Sequence, residues 1–368
     1  MSSSRISKLS AALKNSELDT LALNAGPSLV YMTGLHFHIS ERPVVTFFTS
    51  GSDPVIVLPE LEMLKVSNLS FNMKAFPYGD NPADWEEVFR KAIKFLNLDG
   101  KRIGVEPQQM RLLEYRHLKS AATEAEYPDA SKIVSSLRVR KNAIEIAAMR
   151  KAVKMAQSAL EATMPLIKIG MTEKELSSDL VMHLLQGGSD SDMPFAPIVS
   201  GGPNSANPHA VPSDRKLRAG DLLVVDWGAA VDGYISDLTR TFAVGDADVE
   251  FRKIHQIVLE ANAAGRAAGK PGAACEQVDS AARTVIEKSG YGKYFTHRTG
   301  HGIGMETHEE PYMRSGNWMQ LEEGMTYTVE PGIYLPERNG VRIEDNMLVT
   351  EDGVDCMSDM PREWKVVG

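Results

Sequence analysis

Residues 222–242 read LLVVDWGAAVDGYISDLTRTF: an apolar, β-prone run, an Asp-Gly turn at Asp232 and Gly233, and a second β-prone run. With a two-residue turn, Val231 pairs with Tyr234, and the register then sets Asp226 opposite Thr239. Asp237 falls on the diagonal from Asp226, on the same face of the hairpin. Backbones there are roughly 7–8 Å apart, and two carboxylates can converge on one ion. An acid after LLVV is costly to bury unpaired, which argues against two ordinary turn-flanking charges.

Three more side chains of the same chemistry follow. His301 lies in RTGHGIGMETHEEP, where Gly300, Gly302 and Gly304 allow close backbone approach and are expected to leave the imidazole accessible. Glu330 ends the run MTYTV at a turn forced by Pro331 and Gly332. Glu344 interrupts the apolar strand GVRIEDNMLV. Singly, a Gly-flanked His is more often structural, and either glutamate reads as a strand-end charge. Together the five supply the oxygen and nitrogen ligands that a two-metal hydrolytic site needs, with ions about 3.5–4 Å apart and at least one bridging carboxylate.

The segments SGGPNSANPHAVPSDR (200–215), VVDWGAAVDGYISDLTRTF (224–242), HRTGHGIGMETHEEP (297–311), TVEPGIYLP (328–336) and GVRIEDNMLVT (340–350) resemble five blocks of the creatinase/aminopeptidase, or pita-bread, metallopeptidase family. They stand in that family's order and are most similar to its Xaa-Pro dipeptidase and Xaa-Pro aminopeptidase branch. A weaker likeness in YMTGLHFHISERP (31–43) and LRVRKNAIEIAAMRKA (137–152) extends it across the chain. The resemblance implies an α+β fold: a pita-bread catalytic domain, with a pseudo-twofold pair of αβ halves, after an N-terminal α/β creatinase-like domain.

By the same resemblance, Asp226 is a ligand of one ion, Asp237 and Glu344 bridge both, and His301 and Glu330 complete the other. A water shared by two divalent ions loses its proton far more easily than bulk water, so a hydroxide forms near neutral pH. Glu330 is the family's candidate to take that proton and pass it to the leaving nitrogen. His209 in NPHA and His308 in THEEP match positions that line the pocket and contact substrate or the tetrahedral intermediate. Arg342, two residues before Glu344, is expected to orient that carboxylate or reach substrate. His297 is a candidate for support behind the ligands.

The implied activity is hydrolysis of Xaa-Pro bonds at the N-terminus of dipeptides or short peptides. The imide preference comes from the resemblance alone. One position departs from the pattern: many Xaa-Pro enzymes carry an arginine directly after HExP, and here Tyr312 stands there, with Arg314 two further on. A tyrosine offers only a neutral hydrogen bond, so strict dipeptidase action is in doubt and longer peptides are expected to be accepted. The rival readings are a noncatalytic peptide-binding relative or a creatinase-like C–N hydrolase, either of which is expected to have lost some of the five ligands. Manganese is the first expectation for the metal, with cobalt, zinc and iron as alternatives. The family also implies a homodimer.

Composition fits such an enzyme. The 368 residues suffice for two domains with their own cores, and 43% hydrophobic with 24% charged residues is ordinary for a globular chain. A net charge of −9 argues against nucleic acid or an anionic membrane as partner. Cys275 and Cys356 make no disulfide framework, and the first residues carry no continuous apolar stretch, so the cytoplasm is expected. LDTLALN, VVTFFTS and PVIVLPE read as strands and ADWEEVFRKAIKFLNL as a helix of the first domain. Turn residues without a strong period in EAEYPDASKIVSS (124–136) place the boundary there, giving domains 1–130 and 131–368. Residues 142–167 are expected to form a long helix with Ile144, Ala148, Ala152 and Met155 on its apolar face. A capping box at Thr172 and Glu175 opens the next, and two more helices are expected near 248–267 and 275–289.

Overall fold

In the computed structural model, which describes residues 2–368, the chain forms two compact units, one ending at Arg138 and the other starting at Val139. The first is built on a mixed sheet in the order Lys74–Tyr78, Val55–Pro59, Val45–Thr49, Thr20–Asn24, Ile103–Gly104. Its three middle strands are the ones legible as β-rich runs. Helix Trp85–Leu96 buries Trp85, Phe89, Ala92 and Ile93 in the same cluster as Val55 and Val57 of the sheet, the stripe expected of a period near 3.6. It stops at Asn97, whose φ of 54° turns the chain left-handed.

The break falls later than the 130/131 position expected from the sequence. Residues 131–138 form a helix rather than a linker, with Val134 and Arg138 buried and Arg138 Nη1 donating to Ser28 Oγ at 2.9 Å. A helix this short shows too few turns for a period to be visible in the sequence.

The second unit carries a four-stranded sheet in the order Val366–Val367, Leu238–Val244, Leu222–Trp227, Ile198–Gly201. A five-stranded sheet runs Glu309–Met313, Gly300–Gly302, Thr326–Val329, Asp345–Val349, Val354–Cys356. Each sheet also extends into a short two-stranded hairpin, Ala230–Val231 with Tyr234–Ile235 and Gly332–Leu335 with Asn339–Arg342. Helices Ala143–Thr163 and Glu173–Gln186 pack together beside the first sheet, and Val249–Ala268 pairs with Cys275–Lys288. This is the α+β pita-bread arrangement.

The first long helix opens on a capping box: Asn142 Oδ1 accepts from Glu145 N, and Glu145 Oε2 accepts from Asn142 N. Its buried stripe runs through Glu145, Ala148, Met149, Ala152, Val153 and Ala156. Ile144, expected on that stripe, is 60% exposed because it lies on the flank of the arc the later residues define. Thr172 and Glu175 form the second capping box as expected. None of the described helices is long and apolar enough to cross a membrane.

Alternation along Leu222–Trp227 decides where the site lies. Leu223, Val225 and Trp227 join the core beneath the first helix pair, and Trp227 Nε1 donates to Ala156 O at 2.7 Å. The other face carries Leu222, Val224 and Asp226, with Leu222 in the cluster of Ile254 and Val258 from the second helix pair. Both faces are buried, which explains the unbroken apolar run before Asp226.

Candidate metal centre

The hairpin turns through Asp232 (φ 53°) and Gly233 (φ 75°), two successive left-handed residues of the kind a tight two-residue loop demands. Val231 pairs with Tyr234 and Asp226 with Thr239, the register read from the sequence. Between the two aspartates the strands close tightly: a Cβ on Gly228 would sit 2.0 Å from Ser236 O. Only glycine fits there.

His301 comes from the second sheet. Its flanking glycines do allow close approach, since a Cβ on Gly300 would lie 1.9 Å from Thr328 O and one on Gly302 2.2 Å from Glu310 O. The consequence is the reverse of the accessibility expected: neighbouring backbone closes over the strand, and His301 is 2% exposed. Nδ1 lies 3.1 Å from Gly302 O, which places the ring proton there and leaves the Nε2 lone pair facing the acids. Nε2 is 3.4 Å from Glu330 Oε1 and 3.7 Å from Asp237 Oδ2. Burial, and then the neighbouring His308, hold the imidazole well below its ordinary pKa, so these approaches are convergence of candidate ligand atoms and not ion pairs.

Glu330 follows strand Thr326–Val329, as expected. Glu344 does not sit within one strand: the stretch breaks into Asn339–Arg342, paired with Gly332–Leu335, and Asp345–Val349 in the five-stranded sheet. At the break Glu344 bridges to Thr239, whose Oγ1 donates to Glu344 Oε2 at 2.7 Å. Switching partners there carries the carboxylate to the hairpin. One ligand atom each from Asp237, His301 and Glu344 lies within 4.8 Å of the others.

Three buried acids and a partly buried fourth, Glu330, around one neutral imidazole strain the electrostatics. Burial, then the charges of Glu344 and Asp226, push Asp237 well above its usual range; burial, then Glu330 and Asp226, do the same to Glu344. Glu330 is pushed up to about 8, by burial first. Arg342 is the cation among them. Its Nη2 donates to Asp226 Oδ2 at 2.6 Å, and although burial works against its charge, the facing Tyr334 and acids hold its pKa well above normal. Asp226 Oδ1 is buried with no hydrogen-bond partner. An orphaned carboxylate oxygen beside acids that cannot all ionise, with an imidazole lone pair aimed at them, is a donor set that fits divalent cations.

All five residues line one cavity of about 580 Å³. A model of metallopeptidase family M24 matches residues 147–351, and one of the creatinase/prolidase N-terminal domain matches residues 5–140. The Xaa-Pro dipeptidase of Lactobacillus helveticus is 33% identical over 364 residues, covering 98% of each chain. The chain belongs to metallopeptidase family M24. A putative dipeptidase of Bacillus subtilis (strain 168) is 34% identical over 359 residues, again 98% of each chain. The solved recombinant prolidase from Thermococcus sibiricus matches with a TM-score of 0.95 at 32% identity, covering 100% of this chain and 99% of that one.

The other side chains singled out in this M24 enzyme divide into those in the cavity and those outside it. His209 and His308 are exposed at its mouth, and His308 stacks edge-on against His301 with ring centroids 4.2 Å apart. Burial, then the charges of Arg298 and His209, lower the His308 pKa. Arg342 lines the cavity but is 3% exposed and pairs with Asp226, not with the Glu344 it was expected to orient. His297 stands behind it: its Nε2 and the Arg342 Nη1 both meet Tyr334 Oη, at 2.8 and 2.9 Å. Tyr312 does not line the cavity. Its ring is covered by the guanidinium of Arg298, 4.5 Å from the centroid, and Arg298 lines the cavity instead.

Sequence reasoning missed Arg298, although it stands in the quoted block three residues before His301. It also missed the apolar wall of Phe195, Ala196 and Ile198, whose segment carries no chemical signal of its own. Asn346 holds the main chain of Asp237 from both sides, with Asp237 N donating to its Oδ1 at 3.1 Å and its Nδ2 donating to Asp237 O at 2.6 Å. No spacing rule points to a contact of that kind.

Proposed function

We propose that this M24 metallopeptidase hydrolyses Xaa-Pro bonds at the N-terminus of dipeptides and short peptides, with two divalent ions held by Asp226, Asp237, His301, Glu330 and Glu344. The observation that carries the reading is the meeting of these five groups, with the unpartnered Asp226 Oδ1 among them, in one cavity that also has an apolar wall. Ions bound there would lower the pKa of a shared water and polarise the scissile carbonyl. Manganese is the metal such an oxygen-rich set suits first.

The protein's own groups do the rest. Glu330, whose side chain is 15% exposed and faces His301, takes the proton of the attacking water and returns it to the leaving nitrogen. An imide nitrogen has no hydrogen of its own, so that delivery is obligatory for bond cleavage. His308, fixed against His301, and His209 across the mouth donate hydrogen bonds to the oxygen on which negative charge develops. Phe195, Ala196 and Ile198 offer a dry surface suited to a pyrrolidine ring. The relatives named Xaa-Pro dipeptidase and prolidase support the same substrate class.

Metal analysis of the purified protein, joined to hydrolysis of Ala-Pro, Ala-Pro-Ala and Ala-Ala-Ala with manganese supplied, tests this. Two ions per chain and slow turnover of Ala-Ala-Ala are expected. Equal cleavage of the proline-free control would remove the Xaa-Pro reading and leave the metallopeptidase standing.

A further inference from the structure

Two guanidinium groups line the cavity, and they are in opposite states. Arg342 is fully engaged: Nε donates to Thr239 Oγ1 at 3.1 Å, Nη1 to Tyr334 Oη at 2.9 Å and Pro208 O at 3.2 Å, and Nη2 to Asp226 Oδ2 at 2.6 Å. It has little left to offer a substrate. Arg298 makes no side-chain hydrogen bond and no ion pair among the described residues. What holds it is the Tyr312 ring, 4.5 Å from its central carbon. Its charge reaches the neighbouring groups all the same, working against the burial that raises Glu330 and adding to the lowering of His301 and His308.

A guanidinium packed over an aromatic ring keeps its N–H fork free to meet a carboxylate with two parallel hydrogen bonds. A half-buried cation on the wall of a cavity, with no acid paired to it, is short of one anion. Arg314, the other cation near Tyr312 in sequence, does not line the cavity and its Nη1 donates to Ser315 O.

We infer that Arg298 is the specificity residue that takes the free carboxylate of the second residue of a dipeptide, with Tyr312 as the platform that positions it. This rests on the Xaa-Pro reading above. The tyrosine after HExP is then one half of a two-residue clamp and not a lost contact, and the enzyme selects dipeptides over longer peptides. A longer peptide presents a neutral amide where Arg298 requires an anion, and a hydrogen bond to a neutral group is roughly half as strong as one to a charged group.

The test compares kcat/KM for Ala-Pro and its amide, Ala-Pro-NH2, in the manganese-loaded wild type, Arg298→Met, Arg298→Lys and Tyr312→Leu. Wild type should favour the acid. Arg298→Met should lose about 100-fold on Ala-Pro, chiefly through KM, in line with removal of a charge-assisted pair, while the amide changes little by comparison. Arg298→Lys should recover part of the selectivity, and Tyr312→Leu should lose part of it with Arg298 intact. An unchanged acid-to-amide ratio in Arg298→Met, or no preference in wild type, would overturn the assignment. Calorimetric binding of free proline and prolinamide gives a readout independent of turnover. If wild type cleaves neither peptide, the Xaa-Pro reading fails, and loss of the proline-over-prolinamide preference in Arg298→Met still decides whether Arg298 is the carboxylate site.

Discussion

At Asp237 the metal-free and metal-loaded proteins make opposite demands. Without cations its carboxylate is buried beside Glu344 and Asp226 and its pKa rises; as one of the proposed ligands the same group must ionise. Asp237→Ala is therefore expected to leave the metal-free melting temperature unchanged or higher, while abolishing both hydrolysis and the upward shift that added manganese gives the wild type. Metal analysis and thermal melts with and without metal decide it, and a variant that kept two ions and normal turnover would end the ligand assignment. His308 sits at the mouth and not among the ligands, so His308→Ala should retain the metal and lower kcat by roughly 10²-fold, as for loss of one donor to a developing oxyanion. Glu330 gives the pH dependence. Its folded pKa of about 8 stands above the ordinary glutamate value of 4.5, so the fold binds a proton that the unfolded chain has released. The contribution of Glu330 to the stability of the metal-free protein should be lost as pH rises from near 4.5 to about 8, and metal loading should cancel that loss. Melts across this range, with and without manganese, measure it.

Among the elements, the 222–244 hairpin carries the most information per residue. Its turn sets the register, its alternation puts Asp226 and Asp237 on the face away from Trp227, and Gly228 lets the strands close between them. Gly228→Ala forces a Cβ to within 2.0 Å of Ser236 O, so the strands must part. The expected cost is about 2–4 kcal/mol, in the range of overpacking and backbone strain, together with weakened metal binding, since the two aspartates lie on either side of the separation. Chemical denaturation in chelator and metal titration read the two effects separately.

For the whole chain, one source of acid sensitivity is a histidine outside the proposed ligand set. His255 is 1% exposed, with its ring edge-on to Trp364, its Nε2 unpartnered and its pKa pushed down to about 4 by burial. Above the ordinary value of 6.5 it is neutral in both states. As pH falls from 6.5 toward 4 the unfolded chain gains a proton that the fold refuses, so stability is lost through that window. His255→Gln should reduce the loss by roughly 3 kcal/mol by pH 4. Urea denaturation of both proteins at pH 7 and about pH 4.5 checks the difference, and equal pH slopes would refute it.

The local features were legible in the sequence because their causes are local. A two-residue turn and a period of two fixed Val231 against Tyr234 and Asp226 against Thr239, and the capping box at Thr172 and Glu175 fixed a helix start, all within a few residues of the signals. The candidate ligands were legible for the same reason: acids and a histidine stand out against apolar strands. Tertiary structure decided what depends on residues far apart in the chain. It carried Glu344 to Thr239 by a change of strand partner, gave Arg342 to Asp226 instead of Glu344, and closed backbone over His301. It kept helix 131–138 with the first unit and turned Ile144 outward. It also laid Arg298 on Tyr312, 14 positions away in the chain, which turns an apparent missing cation into a candidate clamp. Pairings of this kind are set by which faces two sheets and four helices bury against one another, and no window of neighbouring residues contains that information.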